Sequence, residues 1–365
     1  MGIHGGDIYR NEVELDFSVN VNPLGMPENV VAALHRAVER CGNYPDIEAE
    51  KLKREVSESI GIPEEYLLFG NGASELFMAV MHGIKPEKTV IPVPSFYGYE
   101  YAAKAAGREI IYYEMKQENS FCPEVDIDAV LTEDVQLLFL ANPNNPVGNL
   151  LGREALLCLL QHCQEKGIYV VLDESFIEFC GVRFSMLEEI ETLDCLILIR
   201  TFTKIFSIPG VRLGYLICSN PQIRLKIAAQ LPEWNLSGFA QEAGRACAGQ
   251  RGFIRETENF IKTERQFLEE GLKKNGFHVF PSCANFIMFY SDEALYEKLL
   301  EKGILIRDCK NFRGLCKGFY RIAVRTRREN EILLEAIKGL QRYTGGYIDE
   351  KCRTSQNRIF AAGRD

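Results

Sequence analysis

Leu198-Ile199-Arg200-Thr201-Phe202-Thr203-Lys204-Ile205-Phe206-Ser207-Ile208-Pro209-Gly210-Val211-Arg212-Leu213-Gly214-Tyr215 sets a lysine just after an apolar run and an arginine eight residues beyond it. A lysine that follows a buried strand is odd for a surface loop. Two solvated cations would account for it blandly. The same residues also hold the parts of a site. Two hydroxyls, an arginine and a lysine make a phosphate cradle beside an amine, and such an amine can form a Schiff base with a carbonyl.

The apolar run before Thr201 is one of seven of its kind, at residues 66–69, 89–93, 109–113, 136–141, 168–172, 194–199 and 213–218. Continuous apolar runs of this length are expected of strands buried on both faces. Segments 29–40, 74–83 and 153–166 between them carry helix-type periodicity. The alternation predicts an α/β fold, a mostly parallel sheet with helices on both faces. Beyond Pro221 a long helical region is expected to about residue 274. Short strands should follow at 277–280, 285–290, 304–306 and 319–324, then a helix at 328–343. That second pattern suggests a smaller α+β domain.

The chain has 365 residues. At roughly 100–200 residues per domain, that is room for two or three. Apolar residues make up 46% and charged residues 25%. Such a balance excludes a disordered or fibrous chain. With 51 acidic against 42 basic residues the net charge is −9, so bulk electrostatics argue against nucleic acid and anionic membrane as partners. No uncharged apolar run approaches the ~18 residues of a membrane span. Asp7 stands where a signal peptide needs apolar residues. The expectation is a soluble, cytoplasmic protein. Twelve scattered cysteines suit reduced structural thiols. The five histidines form no ligand cluster, so no metal site is expected.

Ligands of parallel sheets bind at the carboxyl ends of the strands, which directs attention to four places. Asp173 ends the run 168–172, where it could position a cation or merely cap a helix. Asn142-Pro143-Asn144-Asn145-Pro146 follows another run and could be a plain turn. Gly70-Asn71-Gly72-Ala73-Ser74-Glu75 opens a helix, whose free backbone N–H groups favour a phosphate. The fourth is the Lys204 segment itself.

Together, in this order, the four resemble the cofactor site of the fold-type-I pyridoxal-phosphate enzymes, the aspartate aminotransferase superfamily. The Thr-x-Thr-Lys and Gly-x-Arg-x-Gly elements carry most of the likeness, which extends to about Tyr343. The resemblance implies a large domain with a mostly parallel seven-stranded sheet plus a small α+β domain. It divides the chain into an N-terminal arm that is part of the small domain (1–35), a large cofactor-binding domain (36–245), a small C-terminal domain (246–345) and a polar tail (346–365). It further implies pyridoxal 5′-phosphate as cofactor. Lys204 would hold it covalently, Asp173 would pair with the pyridine nitrogen, and Asn145 would donate to the 3-hydroxyl. Phe96 would stack on the ring. Ala73, Ser74, Thr201, Thr203 and Arg212 would form the phosphate cup. Tyr44, in Asn43-Tyr44-Pro45-Asp46, would reach the phosphate of a second copy, which implies a homodimer with shared active sites.

Within the superfamily the chain is most similar to the histidinol-phosphate aminotransferase branch, and inside that branch to the threonine-phosphate decarboxylases of cobalamin biosynthesis. The matching segments are His4-Gly5-Gly6, residues 16–27, residues 304–309 leading into Asn311-Phe312 and Gly314-Leu315, and the Arg325-Thr326 pair, with Phe176 where many relatives have tyrosine. The implied substrate is a small phosphorylated amino acid. Arg321 would fork onto its carboxylate, a bidentate role that lysine could not fill. Arg307 and Arg325 would take its phosphate, and Asn22 and His4 would lie close by. An aminotransferase of the histidinol-phosphate type, acting on a phosphorylated or aromatic amino acid, is the alternative.

Overall fold

A computed structural model of the protein describes residues 5–340. His4 and the expected polar tail, 346–365, lie outside the described residues. Thirteen strands are described in chain order: β1 (Leu15–Asp16), β2 (Leu67–Gly70), β3 (Lys88–Val93), β4 (Glu109–Glu114), β5 (Val135–Ala141), β6 (Tyr169–Asp173), β7 (Leu196–Thr201), β8 (Gly214–Ile217), β9 (His278–Val279), β10 (Phe286–Tyr290), β11 (Ile304–Leu305), β12 (Arg307–Asp308) and β13 (Phe319–Ala323). Seven of them form one sheet in the order β2-β8-β7-β6-β5-β3-β4. Only β8 is antiparallel to its neighbours, so the other six run one way. The central strands β5, β6 and β7 are buried along nearly their whole length. Burial on both faces is the reason for their unbroken apolar sequence.

The order reverses between β3 and β5: from β3 the chain steps out to β4, then returns to β5 on the other side. That crevice is where ligands of open α/β sheets bind. Register brings the strand ends level, with Ala141 opposite Asp173 and Asp173 opposite Ile199. The residues that follow β3, β5, β6 and β7 therefore emerge on one edge.

A second sheet, β12-β13-β10-β9, is antiparallel throughout. The N-terminal arm joins this part of the molecule. β1 pairs in parallel with β11, and Phe17 donates its N–H to Leu305 while its carbonyl accepts from Ala323 N. Neither β1 nor β12 has a signature in the sequence, being two residues long and without an apolar run. The single helical region expected after Pro221 is three helices, Pro221–Ala228, Gly238–Cys247 and Arg251–Lys274. Local caps divide it: Asn220 accepts from Gln222 N and Ile223 N, and Ser237 accepts from Ala240 N. Ten of the described cysteines are free thiols.

Candidate active site

Between the strand ends and the small sheet lies a cavity of about 530 Å³, a size usual for a small-molecule site. Ala73, Ser74, Phe96, Asn145, Asp173, Thr201, Thr203, Lys204 and Arg212 all line it, as do Arg307 and Arg321. Residues far apart in sequence are thus brought to one chamber.

Asp173 ends β6, and its carboxylate is buried. Tyr99 Oη donates to Oδ2 at 2.6 Å, while Ser175 donates to Oδ1 from its backbone N at 2.9 Å and from Oγ at 2.5 Å. Burial raises the pKa of the carboxyl, and these hydrogen bonds pull the other way. Sequence reasoning misses both Tyr99 and Ser175. A signal for the first is present in Phe96-Tyr97-Gly98-Tyr99: position 99 lies three after Phe96, on the buried face of helix Tyr97–Ala105. Its ring stacks on Phe139 of β5 at 5.1 Å and meets Phe96 edge-on at 5.7 Å.

Lys204 lies on a single helical turn, Phe202–Ile205, directly after β7. Burial pushes its amine down to about 8, helped by the nearby charges of Arg321 and Arg212 and opposed by Asp173. Asn22 stands behind this turn instead of in the cavity. Its backbone N donates to the Lys204 carbonyl at 3.0 Å, and its Nδ2 donates to Ile205 O at 2.8 Å and to Thr257 Oγ1 at 2.9 Å.

Of the residues expected to form a phosphate cup, Ala73 and Ser74 open helix Ala73–Ile84, whose first-turn amides have no intrahelical acceptor. Gly72 precedes it with φ +76°, and a Cβ there would sit 2.3 Å from Arg212 Nη2. Only glycine leaves room for the guanidinium and adopts that backbone freely. Arg212 itself has φ 61°, a costly conformation for a residue with a side chain. Thr201 Oγ1 is buried with no hydrogen-bond partner among the described residues.

Arg307 and Arg321 face each other in register across β12 and β13, and both are buried. Arg321 Nη1 donates to Asn145 Oδ1 and Nη2 to Ser18 O, while Nε is buried without a partner among the described residues. Arg307 donates to Asp308 O at 2.9 Å and to Asn311 Oδ1 at 2.7 Å. Neither makes an ion pair among the described residues. Burial draws both down, Arg321 to about 10.

Arg325 is not brought into this cavity. It pairs with Glu329 at 2.6 Å, the carboxylate that also caps helix Arg327–Ile337 through Thr326. Tyr44 is likewise elsewhere: it is exposed, its ring 5.2 Å from that of Trp234.

The residues present fit pyridoxal 5′-phosphate. A buried carboxylate with fixed donors suits a pyridinium nitrogen. The half-buried Lys204 lines the cavity, and its amine has no hydrogen-bond partner among the described residues. An orphaned hydroxyl and an arginine stand at a helix N-terminus as a phosphate would require.

The chain matches the family "Aminotransferase class I and II" over residues 12–337. It is 37% identical over 360 residues to a provisionally named threonine-phosphate decarboxylase of Caldanaerobacter subterraneus subsp. tengcongensis, covering 96% of both chains. It is 32% identical to the threonine-phosphate decarboxylase of Salmonella typhimurium, covering 92% of this chain and 96% of that one. Among solved structures it is similar to the histidinol-phosphate aminotransferase from Clostridium acetobutylicum, with TM-score 0.84 and 35% identity over 89% of this chain and 98% of that one.

Proposed function

The chain belongs to the aminotransferase class I and II family, and on that premise we propose that it is a pyridoxal-phosphate-dependent carboxy-lyase. It converts L-threonine O-3-phosphate to (R)-1-amino-2-propanol phosphate for the side chain of cobalamin. The observation that carries this reading is the pair Arg307 and Arg321. Two buried guanidiniums without ion-pair partners among the described residues are costly. A substrate with a carboxylate at one end and a phosphate at the other would satisfy both.

When bound, pyridoxal 5′-phosphate supplies an electron sink for the pair left behind as a bond to the substrate Cα breaks. Lys204 holds the cofactor through its amine, and Ala73, Ser74, Thr201, Thr203 and Arg212 hold its phosphate. Asp173, fixed by Tyr99 and Ser175, keeps a proton on the pyridine nitrogen. Asn145 meets the 3-hydroxyl and Phe96 the ring face. Arg321 would orient the α-carboxylate and Arg307 the phosphate of the substrate, holding it at both ends. The Lys204 amine, freed from the cofactor when the substrate amine takes its place, would give a proton to Cα. Tyr44 completes the phosphate cup of a second copy, which makes the working unit a homodimer. None of the described helices is long and apolar enough to cross a membrane; the reading places the enzyme in the cytoplasm.

A second reading, a histidinol-phosphate-type aminotransferase, is favoured by the 35% identity to the Clostridium acetobutylicum enzyme. Product analysis separates the two. Threonine phosphate with 2-oxoglutarate should release CO₂ and aminopropanol phosphate and form no glutamate. Stoichiometric glutamate with the carboxyl carbon retained would establish the aminotransferase instead.

A further inference from the structure

Between β12 and β13 the chain runs along the rim of the cavity through Lys310, Asn311, Phe312, Arg313, Gly314 and Leu315, all of which line it. The reaction as derived above uses none of them, yet this segment is tied down at both ends. At one end it supports Arg307, which donates to Asn311 Oδ1 at 2.7 Å and lies over the Phe312 ring, 5.0 Å from its centroid. At the other end it is fastened to the large sheet by Arg313. The Arg313 guanidinium lies over Tyr112 of β4, 4.0 Å from the ring centroid, with Nε buried and without an acceptor among the described residues. Its Nη2 is 3.5 Å from Glu100 Oε1 on helix Tyr97–Ala105. That same oxygen also accepts from Lys104. Gly314, with φ +84°, lets the segment turn against the backbone at Pro94, where a Cβ would meet Pro94 N at 3.3 Å.

A partly exposed ion pair of this length holds little by itself. The stack on Tyr112 supplies the rest of the attachment, and a planar guanidinium makes such a stack better than an ammonium does. We propose that Arg313 is a positioning residue, clasping Tyr112 and Glu100 so that the rim segment holds Arg307 where it meets the anionic tail of the substrate. The proposal rests on the reading of Arg307 as the phosphate contact. It makes recognition of the tail depend on a contact between the two sheets, made by a side chain that need not touch the substrate.

Titration of the holoenzyme, followed by the absorbance of its bound cofactor, tests this with threonine phosphate and with L-threonine. Arg313→Gln should weaken binding of threonine phosphate about tenfold through misplacement of Arg307. Binding of L-threonine, which has no tail, should change less than about twofold. Arg313→Lys, which keeps the charge and loses the planar stack, should fall between wild type and Arg313→Gln. Adding Glu100→Gln to Arg313→Gln should weaken threonine phosphate no further, since the two act as one clasp. Equal weakening of both ligands, or no weakening of either, would overturn the proposal. If threonine phosphate shows the expected contrast in binding but releases no CO₂, the decarboxylase reading fails and the clasp stands.

Discussion

Lys204 shows what burial does to a single side chain. Its amine is held at about 8 in place of 10.5, so about a tenth of it is in the neutral, nucleophilic form at pH 7, where an ordinary lysine is almost wholly charged. Protein stripped of cofactor should therefore take up pyridoxal phosphate with a rate that rises with pH through an inflection near 8 and is flat well above it. An inflection near the ordinary lysine value would contradict the buried environment. Borohydride reduction of the holoenzyme should leave a pyridoxyl mark on the peptide containing Lys204, and a mark on another lysine would sink the assignment. Arg307→Ala should cost about 10²-fold on threonine phosphate, since both anchoring and orientation are lost; steady-state assays that find it near wild type would remove Arg307 from the site. The lysine and the aspartate are legible in the sequence because each closely follows an apolar run. Tyr99 and Ser175 are not, since nothing local announces which hydroxyl will face a given carboxylate.

Strands β6 and β7 carry Asp173 and Thr201 at their ends, and the residues beside them fasten the two together. Arg200 reaches Glu174 at 2.8 Å, and Ser185 Oγ and Met186 N donate to the same carboxylate. Both charges are buried. Arg200→Ala leaves Glu174 buried without its cation, and should lower unfolding free energy by about 3–5 kcal/mol in denaturant titration. An unchanged midpoint would show that Glu174 finds another partner. The strands of the large sheet are legible to within a residue or two because burial on both faces demands an unbroken apolar run. The two-residue strands β1 and β12 have no such signature: hydrogen bonds to distant segments define them, and a dipeptide has no period to read.

For the whole molecule, the decisive arrangement is that the residues proposed for the cofactor come from the large sheet and the arginines proposed for the substrate from the small one. In the proposed dimer Tyr44 would add a further body. It is exposed in the single chain, as a residue serving a second copy would be. Tyr44→Phe should leave a folded dimer whose cofactor retention is weaker by about 1.5–3 kcal/mol, one hydrogen bond to a charged group. A fully active, well-folded monomer in sedimentation would remove the shared-site reading. The amino-acid order alone determined the α/β alternation, the run of strand-end residues and the family likeness, because these depend on periodicity and on short motifs that neighbours in sequence supply. The tertiary structure alone decided which of the arginines meet the cavity. Arg307 and Arg321 face each other on adjacent strands with no ion pair among the described residues, whereas Arg325, close behind Arg321 in the chain, is drawn off by Glu329 in a helix cap. From sequence the three cations are alike, and what separates them is the charge that folding places beside each one.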